Sequence, residues 1–202
     1  MEQKIDMIVN RLPAKTWNRL SVNQAEIRDL TADGWTKPAV TVRYPKEEKP
    51  AVKELTAEQQ DSFYKKMEEI HTGIGAEVSR LKPGDATDIC VETVEEGGES
   101  DERRERMRRD EVVLVLDYPD WKNCFQDVKI YAKAGESVTV WTVVRSKKDA
   151  EGKAVLRTLL QAEENAKIRL VQVDLLGNRM ELFNDIGVES GKQAQIEVVQ
   201  LF

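Results

Sequence analysis

GESVTVW, at residues 135–141, is the stretch that decides the fold, because related stretches return twice further along the chain. They are NAKIRLV at 165–171 and QAQIEVV at 193–199. The copies lie about 30 and about 28 residues apart, a spacing typical of stacked repeats. After a polar turn, each copy has apolar residues at alternate positions, which is the pattern of a half-buried strand. These alternate residues are Val138 and Val140, Ile168 and Leu170, and Ile196 and Val198.

A second apolar segment precedes each copy, at residues 128–131, 155–160 and 180–186. One repeat therefore holds roughly two strands and two turns, a unit that cannot bury its own apolar face. Stacking removes the difficulty, because each strand then pairs with its equivalent in the next coil, about 4.8 Å away. The pattern favours a parallel β-helix, or β-solenoid, in which the six alternate residues point into one interior. The alternative that the pattern leaves open is an antiparallel sandwich of similar hairpins.

The chain divides near residue 110 into two predicted regions. Residues 1–110 are predicted to be mostly helical with a mobile charged loop, and residues 111–202 to form the solenoid, entered by a buried strand at 111–116. Short helices are expected within residues 1–31, where the apolar residues have helical spacing and a capping box can begin a helix. These apolar residues are Ile5, Ile8, Val9 and Leu12, and the capping box runs from Asn23 to Glu26.

The clearest predicted helix begins after Thr56. Gln59 completes a capping box with Thr56, and Gly73 is placed to end the helix. Phe63, Met67 and Ile70 share one face at helical spacing, which predicts a buried stripe; His71 is expected to be a surface residue of the last turn. Further elements are expected as an edge strand or extended arm at 40–44, a short helix at 76–81 and a strand at 88–94.

Composition limits the classes of function. The 202 residues are 40% hydrophobic and 34% charged with a net charge of −6, which argues against a general nucleic-acid binder. The N-terminus lacks the apolar core of a signal peptide, and no apolar run is long enough to cross a membrane. A cytoplasmic location is therefore expected. Cys90 and Cys124 form no metal-binding pair, and one histidine is too few for the common zinc patterns.

Several segments of the sequence resemble the SufB/SufD family of iron–sulfur cluster assembly proteins. LVQVDLLG at 170–177, FNDIG at 183–187 and IEVVQL at 196–201 are similar to the family core, and LPAKTWNRL at 12–20 is similar to its N-terminus. The resemblance implies a right-handed parallel β-helix that scaffolds a nascent cluster. Its implied partners are an ABC-type ATPase (SufC-like) and a second SufB/SufD-like subunit, or self-association.

The resemblance also implies that the coils continue past Phe202, so that the core in this chain is truncated. In the family, the cysteine, glutamate and histidine of cluster assembly lie in that later part. We therefore expect no catalytic, metal or cofactor-binding residue in this chain, with a cluster present only transiently in the complete complex. Cys90 and Cys124 match no family ligand position and are expected to be buried without such a role.

An enzyme is the second hypothesis, since parallel β-helices can carry carbohydrate-active sites built from surface carboxylates. The candidates are Asp174, Asp185 and Glu197, and a retaining pair would have to lie about 5 Å apart. Their spacing in the sequence shows no pairing, so the chain is predicted not to be an enzyme. A metal-binding jelly roll is disfavoured, because the histidine ligands are absent.

Overall fold

The computed structural model describes residues 4–9, 25–31, 35–45, 50–70, 89–93, 110–120 and 123–202. These residues form strands and one helix, and that helix is not long and apolar enough to cross a membrane. The elements are β1 Lys4–Val9, β2 Ala25–Thr31, β3 Ala39–Arg43, β4 Ala51–Glu54, α1 Ala57–Ile70, β5 Ile89–Glu92, β6 Asp110–Asp117, β7 Cys124–Ala132, β8 Ser137–Arg145, β9 Glu151–Ala162, β10 Lys167–Leu175, β11 Arg179–Ser190 and β12 Gln195–Leu201.

Two five-stranded sheets form the body of the protein. One has the order β12-β10-β8-β6-β3, which we call the repeat sheet, and the other has the order β11-β9-β7-β5-β4, which we call the helix-side sheet. From β7 to β12 the chain alternates between the sheets, and each strand pairs in parallel with its equivalent in the next coil. This is the predicted parallel β-solenoid. The antiparallel sandwich is therefore wrong.

The predicted repeat register is confirmed residue by residue. Ile168 pairs with Val138 on one side and with Ile196 on the other. One continuous cluster of buried apolar side chains fills the space between the two sheets. Its members from the predicted set are Val138, Val140, Ile168 and Leu170, with Ile196 packed against it.

Val198 is the exception among the six predicted core residues. It lies in register with Leu170, as expected, but 40% of its surface is exposed. Among the described residues, no strand pairs with the outer edge of β12. The alternation therefore predicted the direction of the side chain correctly, whereas burial also requires a neighbour on both sides.

The turns between the two sheets explain why the repeat is visible in the sequence. Gly135, Asn165 and Gln193 hold the same place in the three copies, and all have positive φ, of 75°, 60° and 59°. The turns also stack, since the Gly135 N–H donates to the Glu164 carbonyl and the Asn165 N–H to the Lys192 carbonyl, both at 3.0 Å. Glycine and asparagine tolerate this left-handed conformation best.

Strands from the N-terminal half add to the same two sheets. β6, the predicted buried strand, pairs in parallel with β8, and β5 pairs in parallel with β7. β3 and β4 then pair antiparallel with β6 and β5, which confirms the expected edge strand near residues 40–44. The strand expected within 88–94 is β5. The proposed division near residue 110 remains a prediction.

Helix α1 begins where the capping box predicted. The Gln59 N–H donates to Thr56 Oγ1 at 3.4 Å, and the Thr56 N–H donates to Gln59 Oε1 at 3.0 Å. Phe63 and Met67 are buried on one face, as the helical spacing indicated. They pack with Leu55, Cys90 and Leu159, which places the helix on the outer face of the helix-side sheet.

The helices expected within residues 1–31 are wrong for the described residues. β1 and β2 form an antiparallel pair in which Ile5 lies opposite Leu30 and Ile8 opposite Glu26. β-Branched residues favour strands, and a partner strand within the same segment satisfies the backbone without a helix. Leu12, Asn23, His71, the short helix at 76–81 and the charged loop at 95–109 lie outside the described residues.

Candidate functional site

A buried ion pair joins two neighbouring strands of the helix-side sheet. Asp127 on β7 lies directly opposite Arg157 on β9, and both side chains are 0% exposed. Arg157 donates from Nε to Asp127 Oδ1 at 2.7 Å and from Nη2 to Asp127 Oδ2. The contact is thus bidentate, the geometry in which an arginine–carboxylate pair is strongest.

Three aromatic rings enclose the same guanidinium. Its central carbon lies 4.8 Å from the Phe125 ring, 5.0 Å from the Tyr64 ring and 5.8 Å from the Phe63 ring. Phe63 and Tyr64 belong to α1, so the helix covers a charge that strand alternation points outward. A cation over an aromatic face is attracted by the ring quadrupole. These contacts therefore hold α1 against the sheet, and the enclosed guanidinium is not accessible to a ligand.

A second polar group lies inside the solenoid, near the end of β10. Gln172 is 0% exposed, and its Nε2 donates to both carboxylate oxygens of Asp174, at 3.0 and 3.1 Å. Burial raises the pKa of Asp174 above its ordinary value, and the hydrogen bond from Gln172 opposes that rise. Gln172 Oε1, Asn184 Oδ1 and the Tyr118 hydroxyl are buried and have no hydrogen-bond partner within the described part of the chain.

The three carboxylates proposed from the sequence do not share a face. Asp174 follows Gln172 on the inward side of β10, whereas Glu197 is in register with Arg169 and lies 3.3 Å from it as an exposed pair. Asp185 belongs to the other sheet, where it lies in register with Arg157. The structure therefore does not bring these side chains together as a catalytic pair.

The two cysteines occupy opposite faces of the helix-side sheet. Cys90 packs beneath α1, and burial raises the pKa of its thiol despite the opposing influence of Lys129 and Lys53. Cys124 faces the interior, with Sγ 3.1 Å from the Thr36 hydroxyl oxygen. Both are buried, as expected. In the described ranges, no three histidine, cysteine or acidic side chains gather into a group that could hold a metal ion.

The last coil presents two strand edges and part of its apolar interior. Each of β11 and β12 has one paired neighbour among the described strands. Val188 and Val198 point inward on these strands, yet they are 44% and 40% exposed. Leu201 and Phe202 add further exposed apolar surface nearby. Among the described residues, four of the six large exposed apolar side chains therefore lie at this end of the solenoid.

Comparisons of the chain with protein-family models, with curated proteins and with solved structures gave no match.

The sequence patterns singled out Asp174 from the interior group but neither Gln172 nor the buried pair of Asp127 and Arg157. The signal for the interior group was available, because Gln172 and Asp174 continue the inward alternation of Ile168 and Leu170. The buried ion pair left a weaker signal, an arginine within the apolar run VLRTLL at 155–160. Nothing in the strand pattern identified α1 as its cover, since alternation alone assigns Arg157 to solvent.

Proposed function

We propose that this chain is a scaffold subunit of an iron–sulfur cluster assembly complex of the SufBCD kind, acting through protein–protein surfaces. Two features support the proposal. The chain is a parallel β-solenoid, the architecture that the sequence resemblance implies. The segments most similar to the family core lie in β10, β11 and β12. β10 and β12 are neighbours in the repeat sheet, and β11 is the outer strand of the helix-side sheet.

The edge of the last coil is the observation that carries the proposal. An unpaired strand edge is a row of N–H and C=O groups ready to pair with another strand. β11 is 12 residues long and β12 is 7, so the two edges offer a long template. Val188 and Val198 add a hydrophobic contribution to association beside these edges. For residues 1–202, the partner that we propose at these edges is a protein that contributes β-strands, such as a second SufB/SufD-like subunit or another copy.

The proposal assigns cluster chemistry to the complete complex. An iron–sulfur cluster requires soft thiolate ligands, and here the two buried cysteines face opposite sides of one sheet. The cluster is cargo that this subunit helps to hold in place through its partners. An ABC-type ATPase is a further proposed partner, and we assign it no particular surface.

Association with a purified SufB-like subunit, with and without a SufC-like ATPase, tests the proposal. Light scattering after size-exclusion chromatography should detect a complex, and a concentration series of the chain alone should detect self-association. Val198→Asp should weaken both, because it places a charge beside the joining edge. Val40→Asp is the matched control, since Val40 is 38% exposed on β3 at the other end of the repeat sheet.

Two results would count against this function. One is a chain that stays monomeric at every concentration and binds neither partner. The other is association that Val40→Asp weakens as much as Val198→Asp does, because the last coil would then have no special part in it.

A further inference from the structure

Charged residues that lie in register on neighbouring parallel strands have opposite signs throughout the described sheets. In these parallel registers, every pair in which both residues are charged combines an acid with a base. Residues in register lie about 4.8 Å apart, and like charges placed opposite each other are destabilising. The sign of a charge on one coil therefore indicates the sign that fits beside it on the next. The pairs are Asp117–Arg145, Asp127–Arg157, Glu151–Arg179, Lys153–Glu181, Arg157–Asp185 and Arg169–Glu197.

The last coil ends this alternation on an acidic residue in each sheet. Glu181 of β11 follows Lys153 of β9, and it lies on the outward face because it alternates with Leu182, which packs against the core. Glu197 of β12 follows Arg169 of β10 and lies 3.3 Å from it. Among the described strands, none pairs with the outer edge of β11 or β12. A strand that joins either edge therefore meets an acid, and the pattern of the inner coils predicts a base opposite it.

The charge of the whole coil points in the same direction. β11 and β12 together carry one arginine and four acidic residues, a net charge of −3. Lys66 of α1 donates to one of these acids, Glu189, at 3.0 Å, and the others keep the coil acidic. Two copies joined through this coil would set one acidic end against another, and like charges across an interface oppose association.

The apolar part of the coil does not make this distinction. Val188 and Val198 are 44% and 40% exposed, and their burial favours any partner with apolar side chains at matching positions. Backbone pairing at a strand edge is equally indifferent to side-chain charge. The outward charges are therefore what separates one strand-bearing partner from another.

We propose that, for residues 1–202, the last coil receives strands of a different protein whose side chains are basic opposite Glu181 and Glu197. These basic residues extend by one step the rows that run from Lys153 to Glu181 and from Arg169 to Glu197. The inference rests on the proposed scaffold function in taking the last coil as the joining surface, and it adds which strands fit there. A second copy of the chain is the poorer fit, because its own last coil is acidic.

A charge-reversed copy of the chain provides the basic partner for a test. Glu181→Lys/Glu197→Lys changes two exposed side chains of the last coil, and it serves as an unlabelled probe for fluorescently labelled wild-type chain. At low salt, the labelled chain should bind this probe about 2- to 30-fold more tightly than it binds unlabelled wild type, the effect of two cross-strand pairs of ordinary strength. Added salt should reduce the difference, because it screens exposed charges.

A control probe separates position from net charge. Glu54→Lys/Glu58→Lys changes the net charge of the chain by the same amount. Both residues are exposed; Glu54 lies on β4, at the other end of the helix-side sheet, and Glu58 lies in the first turn of α1. This probe should bind labelled wild type no more tightly than unlabelled wild type does. Equal binding of the two lysine probes would overturn the proposal, because net charge alone would then explain the gain.

A neutral variant keeps the test decisive if the two lysines disturb the coil. Glu181→Gln/Glu197→Gln removes the acids without placing new bases beside Lys153 and Arg169. Light scattering over a concentration series should show that this variant self-associates more tightly than wild type at low salt, and that its self-association depends less on salt. Equal self-association of the two chains at every salt concentration would overturn the proposal.

The outcomes also distinguish this inference from the scaffold function. Association of equal strength with all probes, weakened each time by Val198→Asp in the labelled chain, would overturn the basic partner and leave the last coil as the joining surface. Absence of association with every probe would overturn the inference as well, and the scaffold function would then be decided by binding to the SufB-like subunit.

Discussion

Removing the charge of Arg157 should be among the most damaging single changes in this protein. Arg157→Met keeps an unbranched side chain in the enclosure of Phe63, Tyr64 and Phe125. It leaves Asp127 buried without its bidentate partner. Breaking a fully buried pair in this way costs about 3–5 kcal/mol, because an uncompensated charge remains. For a chain of this length, each 1 kcal/mol lowers the melting temperature by about 2–4 °C, so a fall of roughly 6–20 °C is expected.

The chain supplies a matched control. Arg169 pairs with Glu197 through the same groups, but the two side chains are 42% and 59% exposed. Arg169→Met should cost at most about 1 kcal/mol, since water screens an exposed pair. Urea unfolding followed by circular dichroism gives both free energies of unfolding and also the slope, which checks that the unfolded states remain comparable.

A double-mutant cycle separates the pair from its surroundings. Asp127→Leu combined with Arg157→Met removes both buried charges, and the double variant should recover most of the stability lost by Arg157→Met alone. The reasoning is refuted if Arg157→Met costs no more than Arg169→Met. It is also refuted if the double variant is as unstable as the sum of the two single variants, because the charges would then not be coupled.

Further changes test the core, the turns, the helix cap and the interior carboxylate. Ile168→Ala should cost about 2–5 kcal/mol in urea unfolding, since the side chain is buried between three coils; a loss below 1 kcal/mol would contradict the stacking. Gly135→Ala should cost about 1–2 kcal/mol from positive φ alone, as nothing lies within 4 Å of the added carbon; Gly177→Ala should cost more, because that carbon would lie 2.4 Å from the Lys147 carbonyl oxygen. Thr56→Ala should lower stability by about 1 kcal/mol, with a smaller effect if the cap of α1 is formed by Gln59 alone. Asp174→Asn should stabilise the protein at neutral pH, because burial raises the carboxyl pKa and penalises the ionised form; the gain should disappear as the pH falls below the ordinary aspartate pKa, and a gain that grows in acid would have the wrong sign.

The solenoid could be predicted because its signal is repeated in three independent places. Alternation between Val138 and Val140 alone fits many sheets. The same alternation at the same distance from a left-handed turn residue in all three copies fits stacked coils, and the register of Ile168 agrees with it. Parallel in-register stacking is the one arrangement in which equivalent residues become neighbours, so a sequence repeat carries direct information about contacts.

The N-terminal strands could not be predicted in the same way. Ile5, Ile8 and Val9 fit a helical spacing, but a span of six residues carries too little periodicity to separate a helix from an irregular strand. β1 and β2 in fact pair with a register shift between Ile5 and Met7. Such a shift breaks the alternation by which a strand is recognised.

The candidate polar groups show where strand periodicity stops being informative. Alternation divides residues between two faces, and it places Gln172 inward and Arg157 outward correctly. It does not say which face is buried. The outward face of the helix-side sheet becomes an interior because α1 lies on it, and α1 reaches that position through the packing of Phe63 and Met67 against Cys90 and Leu159. Burial of Arg157 is therefore a property of two elements far apart in the sequence, and only their contact turns an ordinary surface charge into a paired, enclosed one.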